Sequence, residues 1–378
     1  MHRRSILSLT LIVLLPAIGG QALGAEFVIV GPRQMGMGGA GVAVTTDALA
    51  TYWNPAGLAM TQTVDVRILG GGQVIDRQGI ANSIHDLENF NPNDPSAANI
   101  AKAQDIANRI NTPGANTSFN AAAGLYVKGH FGEHAFGFNI SDVPTGGSFV
   151  SNPLTVSSNA TSVSISGAMA VRAMEARQAA FSYAYAFADK TFSIGVTAKV
   201  IQGAAYNGTQ NLQGGQDIKL SDSLGKATIS TSYGIDVGAI YRPSSWLRFG
   251  VVAKDLNQPE FDAPDGTKIK LEPQVRGGMA LNPYSSLTLS ADVDMTSNKT
   301  LVPGVKSQVL SLGAEQTILT EFLSFRVGAF KNMQDAGTPF TPTAGLGVRI
   351  FAFRLDMAGG YDFREQGALA SGSLSMTF

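Results

Sequence analysis

The chain has 378 residues, a formal net charge of −1 and only 15% charged residues, well under the roughly 25% of ordinary soluble domains. This near-neutral balance leaves no basic face for nucleic acid, and without cysteine neither a disulfide nor a thiolate metal site can form. Behind the N-terminal segment no stretch approaches the roughly 18 uninterrupted apolar residues of a membrane helix, so the low charge points to strands that alternate between two environments.

Met1-His2-Arg3-Arg4 followed by the apolar run Ile6 to Leu15 reads as an export signal. Pro16 breaks the run, and Ala22-Leu23-Gly24-Ala25 offers small residues for cleavage near Gly24 or Ala25. The run is too short to anchor the chain in a bilayer. Residues 1–25 are therefore assigned to a signal peptide, and the mature chain leaves the cytoplasm. Residues 26–60 follow as a glycine-rich segment, with Gly36, Gly38, Gly39 and Gly41 in the run Met35-Gly36-Met37-Gly38-Gly39-Ala40-Gly41. It ends in the turn signal Asn54-Pro55-Ala56. The segment is too rich in glycine to be a strand and reads as a hatch that folds back inside a barrel built by residues 61–378. Gly36, Gly38 and Gly41 formally match a dinucleotide fingerprint. The strand before it, the helix after it and the acid about 20 residues on are missing, so no cofactor is expected.

Thr63 to Asp76 is the first strand-like stretch. Beyond it, Asp94 is a plausible N-cap and Pro95 suits a first helical position. Ile100, Ala103, Ile106, Ala107 and Ile110 recur at helical spacing, which predicts a helix over 94–111 inside a long loop. Its apolar stripe either packs the loop onto the barrel rim or forms one wall of a landing site for an apolar ligand. A second helical signal covers Ile165 to Ala176. From Ser118 onward the period is two: Leu287, Leu289, Ala291 and Val293 alternate with Thr288, Ser290, Asp292 and Asp294, and Leu323, Phe325 and Val327 alternate with Ser324, Arg326 and Gly328. A polar phase that carries Arg, Lys and Asp suits a transmembrane barrel with lipid outside and a polar lumen within.

Strands fall at 63–75, 117–129, 134–142, 177–188, 191–205, 227–242, 246–255, 272–281, 286–296, 307–317, 321–331, 340–350, 352–362 and 369–378. The fold class is thus all-β, an antiparallel barrel of about 14 strands, the even number that single-chain barrels favour. Short connections alternate with long ones, the longest at 76–116 and 143–176, as expected for periplasmic turns and external loops. His130-Phe131-Gly132-Glu133-His134 formally matches a zinc motif, but it lies in a short turn with glycines and not on a helix, so no metal is expected. Lys199, Asp236, Arg248, Arg276, Asp292, Arg326, Arg349, Arg354 and Asp356 share the polar phase. They form either a ladder of salt bridges between barrel and hatch or, at mid-strand Arg276 and Arg326, receivers for a ligand carboxylate.

The glycine run together with Asp47-Ala48 and Asn54-Pro55-Ala56-Gly57 resembles the N-terminal hatch of FadL-type outer-membrane transporters of long-chain fatty acids and hydrocarbons. Leu247 to Asn257, Pro273 to Ala280 and Leu287 to Asp294 resemble the branch of those barrels named for the conjugal, plasmid-transfer-operon TraF protein. The ending Leu369 to Phe378 is similar to the C-terminal strand signal read by the barrel-assembly machinery. The resemblance implies an outer-membrane location in a diderm bacterium, contact with outer-membrane lipid, and passive uptake of a hydrophobic or amphipathic small molecule. It implies no enzyme chemistry. It gives Asn54-Pro55-Ala56 the part of a hinge or plug contact, and it implies a sideways exit beside a kinked strand, for which Asp142-Val143-Pro144 is the candidate. In those transporters the helices of the external site lie in later loops than the helical signals here. The alternative is a scaffold or assembly role in a conjugation apparatus.

Overall fold

The computed structural model describes residues 27–378 except Thr320, Ala336 and Glu365. The signal-peptide assignment and Glu26 lie outside the described residues. Fourteen antiparallel strands close a barrel: β1 (Asp65–Arg77), β2 (Asn116–Phe131), β3 (His134–Ser158), β4 (Val163–Phe187), β5 (Phe192–Gln213), β6 (Thr228–Ser244), β7 (Leu247–Lys254), β8 (Gln274–Tyr284), β9 (Leu287–Asp294), β10 (Val309–Ile318), β11 (Leu323–Asn332), β12 (Thr341–Ile350), β13 (Phe353–Asp362) and β14 (Gly367–Thr377). Each strand pairs with its chain neighbours, and β1 closes on β14 in a register running from Asp65 opposite Thr377 to Val74 opposite Ala368.

The two phases of each strand face opposite environments. On β11, Phe325 and Val327 point outward while Ser324 and Arg326 are buried inward; on β9, Leu289 and Val293 are outward and Ser290, Asp292 and Asp294 inward. An apolar exterior around a polar interior is the reverse of a soluble sandwich and is what a bilayer requires.

Two expectations are corrected. The stretch 143–176 is not a loop, and Ile165 to Ala176 is not a helix. Residues 143–158 and 163–176 continue β3 and β4, with Val156 opposite Ile165 and Phe149 opposite Ala170. There Ile165 is buried between exposed Ser164 and Ser166, so strand alternation and a ready-made partner win over helical spacing. These long strands project beyond the rest of the wall at the long-loop end.

Helix α3 (Ile80–Glu88), which the sequence did not signal, and α4 (Ala97–Ile110) pack on that projection. The α4 N-cap is Ser96, whose hydroxyl accepts from the Asn99 N–H, and not Asp94; Asp94 instead accepts from the Ser96 N–H in the preceding turn. The stripe Ala103, Ile106, Ala107 and Ile110 is buried against Leu154, Val163 and Ile165. It packs a lobe and leaves no apolar wall open.

Two inward hairpins roof the lumen from the long-loop end. One pairs Glu260–Asp262 with Lys268–Lys270, and the other pairs Asn298–Lys299 with Lys306–Ser307. Phe261, Ile269 and Leu271 of the first pack with Leu301 of the second on Met174 and Ile201 of the wall.

Candidate functional site

The segment 27–60 fills the lumen from mid-barrel toward the short turns. It contains α1 (Pro32–Gly36), α2 (Ala50–Trp53) and a 3-10 helix (Pro55–Met60). Pro32 starts α1, where its missing N–H costs nothing. Close approach dictates the glycines. Gly38 has φ +66°, and a Cβ there would lie 2.5 Å from the Ala329 carbonyl oxygen and 2.6 Å from that of Leu312. A Cβ on Gly41 would fall 2.4 Å from the Trp53 ring. Gly36 sits against the backbone of Gly345, and Gly39 against Ile29 and Ser311. Opposite Gly38 the wall is itself glycine, at Gly328.

Buried charge and hydrogen bonds fix this seat. Asp292 accepts from the N–H groups of Gly41 (2.7 Å) and Val42 (2.8 Å). Glu315 bridges hatch and wall, 2.6 Å from both Arg33 and Arg326, and Arg326 also meets Asp356 at 2.8 Å. Lys128 donates to the Thr46 and Thr61 carbonyls. Arg67 lies 3.0 Å from Asp47. Burial alone would raise the Asp47 carboxyl, but Arg67 and Arg33 outweigh it and hold it below its ordinary value. Asn54 Nδ2 donates to Val42 within the hatch and to Ala239 and Val251 of β6 and β7, while its Oδ1 accepts from the Ala56 N–H. Pro55 and Ala56 lie over Gly195 of β5.

Arg276 and Arg326 both point into the lumen, but each already holds a protein carboxylate. Arg276 Nε is 2.5 Å from Asp294, directly opposite it across the ladder, and Arg326 stands opposite Glu315 in the same way. Of the other polar-phase charges, Lys199 is bracketed by Asp236 (2.9 Å) and Asp255 (2.8 Å), Arg248 donates to the Ala43 carbonyl, Arg354 meets Asp356, and Arg349 pairs with Glu321 near the short turns.

The sequence reading passed over Lys254. It closes β7 in the inward phase and is 5% exposed, yet has no carboxylate within ion-pair distance among the described residues. Its ammonium lies 3.4 Å from the Tyr52 ring centroid and 4.5 Å from that of Phe27. It borders a cavity of about 60 Å³, along with Tyr52, Thr145, Gln178, Lys199 and Asp255. The only advance signal was its phase, shared with Arg248.

Beside this cavity the wall is weakened. The β2–β3 ladder pairs Asn120 with Thr145 and Ala123 with Asp142, with no pairs between. Pro144 has no N–H to give. On the outer face lies a groove of about 610 Å³ edged by Gly124, Ile140, Asp142, Arg177 and Val200, and Gln178 borders both groove and cavity. At the short-turn end a third space, about 360 Å³, is lined by Arg33, Asp47, Arg67, Glu315, Arg354 and Asp356 among others. His130 to His134 forms the β2–β3 turn, and His134 Nδ1 sits 2.8 Å from the Tyr183 hydroxyl.

A family model described as "F plasmid transfer operon, TraF, protein" matches residues 51–294. No curated protein matches the chain. Among solved structures, the toluene transporter TbuX of Ralstonia pickettii aligns over 93% of this chain and 99% of its own, with TM-score 0.56 and 16% identity. The TodX monoaromatic hydrocarbon channel (a deltaS2 mutant) aligns over 92% and 97%, with TM-score 0.54 and 12% identity. The CymD monoaromatic hydrocarbon channel aligns over 94% and 98%, with TM-score 0.53 and 15% identity. Identities this low establish a shared fold.

Proposed function

The chain belongs to the TraF family of the F plasmid transfer operon, and we propose that it is an outer-membrane barrel for passive uptake of a hydrophobic or amphipathic small molecule. The class is that of fatty acids and hydrocarbons, and the location is the outer membrane of a diderm bacterium. On this reading outer-membrane lipid surrounds the barrel, and its C-terminal strand, ending at Phe378, is handed to the barrel-assembly machinery. The chemistry is binding and release, without covalent steps.

The observation that carries this reading is Lys254. A buried ammonium with no carboxylate in ion-pair distance among the described residues is costly to keep; Asp255, which also lines the cavity, is held by Lys199 at 2.8 Å, and the anionic head of an amphipath would complete Lys254. The aromatic faces of Tyr52 and Phe27 hold the charge meanwhile. Arg276 and Arg326 take the role of anchors between hatch and wall. The way out is sideways, through the unpaired β2–β3 ladder into the outer groove. A straight path would drag an apolar body through the charged vestibule, where it would strip water and hydrogen bonds from paired charges.

A conjugation scaffold is the second reading. It is favoured by the small size of the Lys254 cavity, about 60 Å³, and by the packed lobe at the long-loop end. Binding of 11-(dansylamino)undecanoic acid to the detergent-purified protein separates the two. Losing a hydrogen bond to a charged group, about 1.5–3 kcal/mol, makes Lys254→Gln bind this acid roughly 10- to 100-fold more weakly, with the affinity for toluene unchanged. Equal affinities of both proteins for the acid would remove Lys254 from the site, and no binding by either would favour the scaffold.

A further inference from the structure

Phe261 is carried into the lumen by an element that is not part of the wall. The hairpin of Glu260–Asp262 and Lys268–Lys270 is a two-stranded sheet of its own, with Phe261 opposite Ile269, and it does not join the barrel ladder. Its two faces differ: Phe261 and Ile269 are buried, while Glu260, Asp262 and Lys268 are exposed. Side-chain hydrogen bonds tie it to the wall. The Asp262 N–H donates to the Ser230 hydroxyl at 3.0 Å, and the Asn207 amide donates to the Asp265 carboxylate at 2.8 Å. Contacts of this kind can be given up without opening the barrel.

The Phe261 ring is 1% exposed and lies on Gly203 of β5. A Cβ on Gly203 would come within 2.5 Å of the ring and 3.0 Å of the Met174 methyl. A wall position without a side chain leaves a flat floor for the face of a ring, and a thioether is a favourable neighbour for an aromatic. Met174, Ile201 and Leu271 belong to the apolar cluster around Phe261 and also line the Lys254 cavity. The seat of the ring therefore adjoins that cavity across shared side chains. With the ring in place the cavity measures about 60 Å³, whereas an apolar cavity of about 150 Å³ is what takes a benzene molecule. The space beside Lys254 thus has room for a carboxylate head and none for an aromatic body.

We propose that Phe261 is a built-in occupant of the ligand's own seat, and that the ligand is an aryl-substituted carboxylate. Its carboxylate pairs with Lys254, and its ring replaces that of Phe261 on Gly203. The hairpin lifts, and the cavity and the vacated seat become one elongated site. This assignment rests on the uptake reading and adds to it the class of ligand and the reason the empty lumen is closed. A seat that is vacant in only a fraction of the molecules lowers the apparent affinity by that fraction, so removing the ring strengthens binding.

Calorimetric titration of the detergent-purified protein with two ten-carbon acids, 4-phenylbutyrate and decanoate, tests this. Phe261→Ala is expected to bind 4-phenylbutyrate roughly tenfold or more tightly than the wild type, as for a seat vacant in about one molecule in ten or fewer. Decanoate, which has no ring to seat, gains little. Adding Gly203→Ala to Phe261→Ala cancels the gain, because the new methyl stands where the ring would lie. Phe261→Leu keeps an apolar roof, covers the case in which the alanine variant does not fold, and gains several-fold. The proposal is overturned if neither Phe261 variant binds 4-phenylbutyrate more tightly, or if decanoate gains as much. Binding that still depends on Lys254 in those proteins would leave the uptake reading standing. No binding of either acid by the wild type or by Phe261→Ala sinks both.

Discussion

Gly38→Val leaves the hatch unable to seat. The φ of +66° at this residue costs an L side chain about 1–2 kcal/mol. The new Cβ meets the backbone of Ala329 and Leu312 from two sides, and backbone cannot turn away as a flexible side chain would. Overpacking of this kind costs about 1–3 kcal/mol. Tryptophan emission reports the result. Trp53 is fully buried, with its ring N–H donating to the Val30 carbonyl, while the other tryptophan, Trp246, is exposed. In a Trp246→Phe background the Gly38→Val protein is expected to show red-shifted Trp53 emission and rapid proteolysis of the N-terminal segment. The barrel itself stays folded and heat-modifiable in electrophoresis, because none of its ladder bonds is lost. An unshifted emission would mean that Gly38 is not a close-contact position.

Glu315→Ala should be the most damaging change among the buried charges. Glu315 is the one carboxylate shared by Arg33 of the hatch and Arg326 of the wall. Arg326 has no exposed side-chain surface. Removing one partner of a buried pair strands the other charge, at about 3–5 kcal/mol, and the remaining bond from Arg326 to Asp356 places this case toward the lower end. The urea midpoint of hatch unseating, again read through Trp53, should drop clearly. Replacing both partners, Glu315→Met with Arg326→Met, should recover part of the loss: it removes the stranded Arg326 charge, while Arg33 still lacks its carboxylate and Asp356 keeps only Arg354 at 3.1 Å and a longer contact to Arg67. If the double variant is as unstable as the sum of the single ones, the pair is not coupled and the bridge is not what holds the hatch.

Much of this architecture is written in strand phase. Leu287 to Asp294 and Leu323 to Gly328 alternate cleanly because one side meets lipid and the other a polar lumen. The extensions of β3 and β4 were hidden for the opposite reason. Ala168 to Val171 are buried one after another, since the lobe covers one face and the interior the other, so the period of two is blurred and the run passes for a helix. Pro95 drew the helix start to Asp94, although the cap hydroxyl is one residue beyond that proline.

At the site, phase showed that Arg276 and Arg326 point inward but could not show what faces them. Their partners, Asp294 and Glu315, stand directly across the ladder, and register is set by pairing that no single strand reveals. The same gap hid Lys254. Its distinction is that the nearby carboxylates, Asp236 and Asp255, are taken by Lys199, which needs neighbouring strands to be in place together. The seats of Val302 on Gly147 and of Phe261 on Gly203 were out of reach as well, since both read as ordinary strand glycines until a distant loop lands on them.

A barrel that holds an amphipath at Lys254 should carry it through purification. Mass spectrometry of small molecules released from protein purified in mild detergent, with Lys254→Gln and an unrelated barrel purified in parallel, tests it most directly. A carboxylate-bearing lipid or aromatic acid should be enriched in the wild type and depleted in both controls. A wild-type profile indistinguishable from that of the unrelated barrel would contradict it and turn the search toward protein partners of the long-loop lobe.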